Sequence, residues 1–359
     1  MESLRLSLIF AFYVGISLTS VLYGQTSPKI GAYYFDGWRS ESSVHLTKSL
    51  KHDFKTRKPR WGWVTSSQNL MDAQINEAVS NHISFFSFCW FFKKGVSSPL
   101  NNALEFYLKS PNRKSLEFCL LISNHHGFEL GPENWNEFTR RIIPLLKEET
   151  YLKVNQKPLI IFFSPQSLVR RFGSTRAVSN AFNQLKNAAR ISGIEDVSIA
   201  ACVSAERSSV AQAERCGFNL LTGYNYHEAG LDKKSKEVPI RDMQNAEKNI
   251  WNTFKLYTSL KYIPVSTLNW DPRPWSNSEN RYSEKPFFVG YSTESVFNSV
   301  SSCIKWLDKN VKHTTEEKIA LLYAWNEYGE GAYLTPTDNF KPLDGVKEAI
   351  KSRTADNYP

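Results

Sequence analysis

Glu327 and Glu330 stand three positions apart in the run Leu321–Pro336, among Trp325, Asn326, Tyr328 and Tyr333. Two carboxyl groups held close in an aromatic, partly dry pocket cannot both stay charged easily, so one tends to keep its proton near neutral pH. One proton donor and one base is the equipment for cutting a glycosidic bond. The geometry has to be arranged, because on a continuous strand an odd spacing sends two side chains to opposite faces. Gly329 lies between the acids. A turn there, with φ > 0 open to glycine at no steric cost, is expected to bring both carboxyls into one cavity. The bare pattern also fits an exposed acidic turn after an edge strand, so the surrounding chain has to decide.

That chain alternates. Apolar, β-prone runs at 29–37, 83–92, 116–123, 158–163, 197–203, 219–226, 262–268 and 319–325 are each followed by sequence with helical spacing, as at 67–81, 135–146, 177–191 and 294–309. The run Ile83–Phe92 is too continuously apolar for a half-exposed strand and reads as buried on both sides, as parallel strands are. Eight strand-then-helix units predict an α/β protein of one domain, a single (β/α)8 barrel over residues 25–359. A doubly wound sheet uses the same alternation but usually carries a phosphate-cradling glycine cluster. Neither G-x-G-x-x-G nor G-x-x-x-x-G-K occurs here.

In a barrel the strand exits converge on the end where active sites sit, and the polar and aromatic residues gather at those exits. Tyr34, Asp36 and Trp38 share one face after the first strand, and Trp90 closes the second. Asn124, His125 and His126 follow the third, Tyr224 and Tyr226 the sixth, and Trp270, Asp271 and Arg273 the seventh. Trp325 and Asn326 lead into the two acids. Tyr34, Trp38, Trp90, Tyr224, Tyr226, Trp270 and Trp325 are expected to offer aromatic faces to a ligand. Asp36, His125, His126, Asp271, Arg273 and Asn326 are expected to offer polar contacts. Each taken alone also fits a rim residue.

Composition narrows the classes. Aromatic residues make up 14% of the 359 residues, with ten Trp, sixteen Tyr and twenty-three Phe, and such rings stack on the apolar faces of sugars as well as on each other. The formal charge is +9, but Lys and Arg are interleaved with Asp and Glu, without the basic block that tracks a phosphate backbone. This argues against nucleic acid and leaves room for an anionic glycan. Five cysteines are too few and too scattered for a disulfide framework. Neither C-x-x-C nor H-E-x-x-H signals zinc, and no metal site is expected at the adjacent His125 and His126. At the start of the chain, Arg5 precedes an apolar run from Leu6 to Tyr23, with Gly24 at a plausible cleavage point. Residues 1–24 read as a secretory signal that exports the protein and leaves no stable membrane span, with an uncleaved anchor as the alternative. A monomer is expected.

The segment Trp325–Gly331 followed by Ala332–Pro336 resembles the closing motif of the WbsX-like proteins and of glycoside hydrolase family 99, the endo-α-mannosidase and endo-α-mannanase family. Ala32–Tyr34, the aromatic second strand, Gln156–Pro158 and Asn269–Pro274 are similar to the corresponding stretches, so the resemblance spans nearly the whole mature chain. It implies a (β/α)8 barrel and retaining endo-hydrolysis of α-mannoside-type bonds in a carbohydrate substrate, with no cofactor or metal. It further implies that Glu327 removes the proton of the sugar's own 2-hydroxyl, which attacks the anomeric carbon to give a 1,2-anhydro sugar. Glu330 would then protonate the departing oxygen and later activate water. The route demands a 2-hydroxyl trans to the leaving group, which α-manno and α-rhamno sugars have and α-gluco sugars lack. Tyr328-Gly329 stands where the family-99 hydrolases carry a bulkier Trp-His type pair, so the match is closer to the WbsX-like branch. That branch is associated with surface-polysaccharide loci and carries a glycosyltransferase label. A glycosyltransferase and a binding-only barrel therefore stand beside the hydrolase reading.

Overall fold

Runs of Ile, Leu, Val, Phe and Tyr that bury both faces can satisfy their backbone polar groups only by pairing on both edges, and a closed ring of parallel strands does this without leaving an edge. The computed structural model describes residues 27–231 and 235–355. The segment read as a signal, 1–24, lies outside the described residues. Among the described residues, no helix is long and apolar enough to cross a membrane.

The ring is built from β1 (Lys29–Tyr34), β2 (Phe85–Trp90), β3 (Glu117–Ile122), β4 (Lys157–Phe162), β5 (Ser198–Cys202), β6 (Leu220–Thr222), β7 and β8 (Ile319–Tyr323). β7 comes in two pieces, Lys261–Tyr262 and Val265–Thr267. Each strand pairs in parallel with the next, and β8 returns to β1 with Lys29 beside Ile319. Closure runs through the interrupted β7, whose first piece pairs with β6 and whose second pairs with β8. The interruption falls at Pro264, which has no N–H to give to a ladder. Its carbonyl still accepts from Leu321 N at 3.0 Å, while Ile263 N donates to Leu221 O at 2.8 Å.

Among the described residues one main helix follows each strand: α1 (Gln68–Ser80), α2 (Asn102–Lys109), α3 (Trp135–Leu146), α4 (Thr175–Ile191), α5 (Arg207–Cys216), α6 (Ile240–Tyr257), α7 (Thr293–Lys309) and α8 (Pro342–Ala355), with a short extra helix at Lys48–His52. Their placement follows from amphipathic spacing and caps. In α4, Val178, Ala181, Phe182, Leu185 and Ala189 form the buried stripe, and Ser174 accepts from Ala177 N at its start. In α7 Ser292 and Ser295 form a reciprocal capping box. Sequence spacing did not distinguish a further helix, Pro165–Phe172, which ends at left-handed Gly173 before α4 begins. α6 supports the broken strand directly. Trp251 Nε1 donates to Val265 O at 2.9 Å, and the buried Glu247 carboxylate accepts from Thr267 N.

Because strand side chains alternate, each strand sends one set inward and the other against the helices. Inward on β1 is Tyr33, whose hydroxyl crosses the barrel to donate to Gly223 O at 2.6 Å. Phe85 of β2 packs directly over the bare Cα of Gly31, so no larger residue fits there. The five cysteines are all free and buried.

Candidate active site

Glu327 and Glu330 sit on a hairpin, not on a continued strand. The two-residue strand Asn326–Glu327 pairs antiparallel with Ala332–Tyr333, and a 3-10 turn over Tyr328–Glu330 joins them. The turn overcomes the odd spacing, and both carboxyls line one cavity of about 300 Å³ at the C-terminal end of the ring. The left-handed residue of this turn is Gly331, with φ 73°, and not Gly329 as the sequence suggested. Gly329 is required for a different reason: a Cβ there would run into the indole of Trp275, which lies flat against the backbone and forms part of the cavity wall.

The turn is fixed from below through its carbonyl groups. Asp271 N donates to Glu330 O at 2.7 Å and Asn269 Nδ2 to Gly331 O at 2.9 Å. The buried Arg57 guanidinium donates to both Tyr328 O and Asp271 O at 3.0 Å and pairs with the Asp271 carboxylate. Arg273 closes the group from the other side, with Nε 2.7 Å from Asp271 Oδ1. Asn326 ties the hairpin to the end of β1, accepting from Phe35 N at 2.9 Å and donating to Phe35 O at 2.8 Å. A segment that is neither helix nor long strand thus has the carbonyls of Tyr328, Glu330 and Gly331 each held by a named donor, which positions the two acids.

The carboxyls have different partners. Tyr224 donates to Glu327 Oε1 at 3.1 Å, while Glu327 Oε2 is buried without a hydrogen-bond partner. Tyr323, inward on β8, donates to Glu330 Oε2. Burial disfavours the charged form of both. It pushes Glu327 up to about 7, with the Tyr224 hydroxyl pulling the other way, and pushes Glu330 up to about 8. Each carboxyl is thereby raised from the usual carboxylate range toward neutral pH, where it can hold or release a proton. The site holds two titratable carboxyls in one cavity, the arrangement that acid–base chemistry requires.

Of the residues expected at the site, His125 and Tyr224 join the acids in the cavity lining. Others lie on the opposite face of their strands. Tyr34 packs against Phe86 and Phe88, and its hydroxyl is buried without a partner. Asp36 accepts from Ala103 N at the start of α2 at 2.8 Å. Trp90 stacks on Phe92 and against Phe138 of α3, and Trp325 Nε1 donates to Gln74 of α1 at 2.8 Å. Trp38 supports the hairpin, donating to Asn326 O at 2.7 Å with its ring on Tyr328. Asp271, Arg273 and Asn326 belong to the scaffold of the turn already described. Tyr226 meets the Tyr262 hydroxyl at 2.7 Å, Trp270 stacks on His227 at 4.2 Å, and His126 is exposed beside Glu129.

The lining that sequence reading missed is mostly the alternate face. Phe35, Cys89, Phe91, Leu121, Ser123 and Phe163 follow from taking Tyr33 rather than Tyr34 as the inward residue and continuing the alternation across neighbouring strands. His45 and Trp275 come from loops and met through their side-chain contacts, with Trp275 Nε1 donating to His45 O at 3.1 Å. No periodicity marks residues of that kind.

A closed ring of eight parallel strands, each followed by a helix, is a (β/α)8 barrel, and Glu327 and Glu330 face one cavity at its strand exits. The chain belongs to the WbsX family, whose model, described as glycosyltransferase WbsX, matches residues 63–343. Among solved structures it is similar to one described as a glycoside hydrolase-like protein, with a TM-score of 0.66 at 14% identity over 90% of this chain and 94% of that one. It is also similar to the GH99 endo-α-mannosidase from Bacteroides thetaiotaomicron, with a TM-score of 0.61 at 13% identity over 92% of this chain and 99% of that one. At such identities the likeness carries the fold. No curated protein matches the chain.

Proposed function

We propose that the protein is a retaining glycoside hydrolase that acts within a polysaccharide or glycan on α-manno- or α-rhamno-configured linkages. The observation that carries this reading is the convergence of Glu327 and Glu330 on one cavity, where burial raises both carboxyls toward neutral pH. Glu327 accepts the proton of the sugar's 2-hydroxyl as O2 attacks C1. The bond from C1 to the departing oxygen breaks, and Glu330 gives that oxygen its proton. In the second half Glu330, now charged, takes a proton from water as the water oxygen attacks C1. The C1–O2 bond of the anhydro sugar opens, and Glu327 returns its proton to O2. Two inversions at C1 give net retention. Tyr224 and Tyr323 act as positioning residues, each holding one carboxyl through a hydrogen bond. With residues 1–24 as an export signal, the reaction takes place outside the cytoplasm.

The family's description favours a second reading, a glycosyltransferase. The two separate in one experiment. The purified protein is incubated with α-mannans, rhamnose-containing pectins and bacterial surface glycans in the absence of any nucleotide sugar, and new reducing ends are followed by NMR from the first minutes. Hydrolysis with the α-anomer formed first supports the proposal. A first-formed β-anomer overturns the retaining route. In a parallel arm supplied with nucleotide sugars, their consumption without hydrolysis in either arm overturns the hydrolase reading.

A further inference from the structure

The cavity wall is a continuous aromatic collar. Phe35 and Phe91 approach at 6.2 Å between ring centres, Phe91 and His125 at 5.8 Å, His125 and Phe163 at 5.8 Å, Phe163 and Tyr224 at 5.2 Å, and Tyr224 and Tyr323 at 4.7 Å. Beneath the collar the lining changes character. Phe35, Phe91, Ser123, His125 and Phe163 all lie past the ends of their strands, whereas Cys89 and Leu121 lie within β2 and β3, side by side in register. These two therefore form the floor. Leu121 offers nothing to a hydroxyl, and a thiol is a weak hydrogen-bonding group. The hydroxyls nearest the floor are already engaged, Tyr224 on Glu327, Tyr323 on Glu330 and Tyr33 on Gly223 O. Of the other polar lining groups, Ser123 and His125 stand two and four residues beyond Leu121 toward the mouth, and His45 comes from the loop after β1. Among the described residues no arginine or lysine lines the cavity, so these set no counter-charge for an acidic sugar beside the two carboxyls.

The open acceptor in the cavity, Glu327 Oε2, is taken by the 2-hydroxyl in the proposed route, so a further group that reaches the Cys89–Leu121 floor loses water for little in return, which is costly for a hydroxyl and favourable for a methyl group. Resting on the hydrolase reading, we propose that the sugar held against Glu327 and Glu330 is an uncharged 6-deoxy sugar of α-manno configuration, a rhamnose, whose C6 methyl group meets the Cys89–Leu121 floor. An acetamido group would also bring a methyl, but it replaces the free 2-hydroxyl that the route consumes.

The test compares α-linked oligosaccharides that differ only at C6: 6-deoxy-D-mannose against D-mannose, and L-rhamnose against L-mannose. An apolar pocket rejects an added hydroxyl by roughly 100-fold at most, so kcat/KM for the 6-deoxy member of the accepted series is expected to exceed its partner by about 10- to 100-fold. Cys89→Ser places a hydroxyl on the floor and is expected to narrow that ratio several-fold, with circular dichroism confirming the fold. Equal rates, or preference for the 6-hydroxylated sugar, overturn this inference and leave the hydrolase reading intact. Hydrolysis of neither pair, with none of the wider glycan panel cleaved, overturns both.

Discussion

The Tyr224 hydroxyl donates to one oxygen of Glu327 at 3.1 Å while the other oxygen of the same carboxyl is buried with no partner. A carboxylate that accepts a single hydrogen bond in a desolvated site is half-compensated, which suits a base that needs one face free for an incoming hydroxyl. Tyr224→Phe removes the group that lowers the Glu327 pKa, so the acidic limb of the pH–rate profile should move to higher pH. Loss of a hydrogen bond to a charged group, roughly 1.5–3 kcal/mol, should lower kcat/KM by about 10- to 100-fold. An unmoved acidic limb in the variant would count against Glu327 as the base.

The two carboxyls also set the wild-type pH dependence. Activity requires Glu327 without its proton and Glu330 with it, and burial raises them to about 7 and about 8. The expected kcat/KM profile is a narrow bell centred between those values, its limbs set by the two carboxyls. Glu330→Gln should abolish the basic limb. A profile with its optimum near pH 5 would contradict the assignment.

Glu247 gives a stability test away from the cavity. Burial raises it from 4.5 to about 8, so between those values the folded state holds a proton that the unfolded chain has released. Stability is fully present below about 4.5 and falls by about 1.4 kcal/mol per pH unit as pH rises through that window. Glu247→Gln keeps an acceptor for Thr267 N and removes the titration. Its melting temperature should gain on the wild type steadily from pH 5 to pH 8.5, and a difference independent of pH would show that Glu247 does not titrate there.

Gly329 and Gly331 separate space from backbone conformation in one turn. Gly329→Ala forces the Trp275 indole off the cavity wall, and kcat/KM should fall by roughly 100-fold with a smaller change in melting temperature and a shift in tryptophan emission. Gly331→Ala meets a left-handed φ of 73° and the Arg57 guanidinium 3.1 Å away, so stability should suffer by about 1–3 kcal/mol. Thermal melts beside kinetics distinguish the two outcomes.

Much of this architecture was legible in the sequence because the barrel's units repeat. The Trp135–Leu146 helix falls where its spacing put it, and the apolar run at 83–92 is β2, buried on both sides as its composition required. That double burial also explains the misplaced contacts. On a strand such as β1, with no polar face, alternation groups Tyr34, Asp36 and Trp38 correctly but does not say which side is the interior. Tyr33 settles it only through its bond across the barrel to Gly223. The role of Gly329 was hidden for a related reason, since the ring that demands a glycine there, Trp275, is 54 positions away at residue 275 of the same chain and arrives only when the barrel closes.

Glu330 carries the claim on which the functional reading depends, and Glu330→Gln tests it with little change in shape. With any glycan the wild type cleaves, turnover by the variant should drop by roughly 10²- to 10⁴-fold while binding of the same glycan, measured by calorimetry, stays within a few-fold. Turnover at the wild-type rate would contradict the assignment of Glu330 as proton donor.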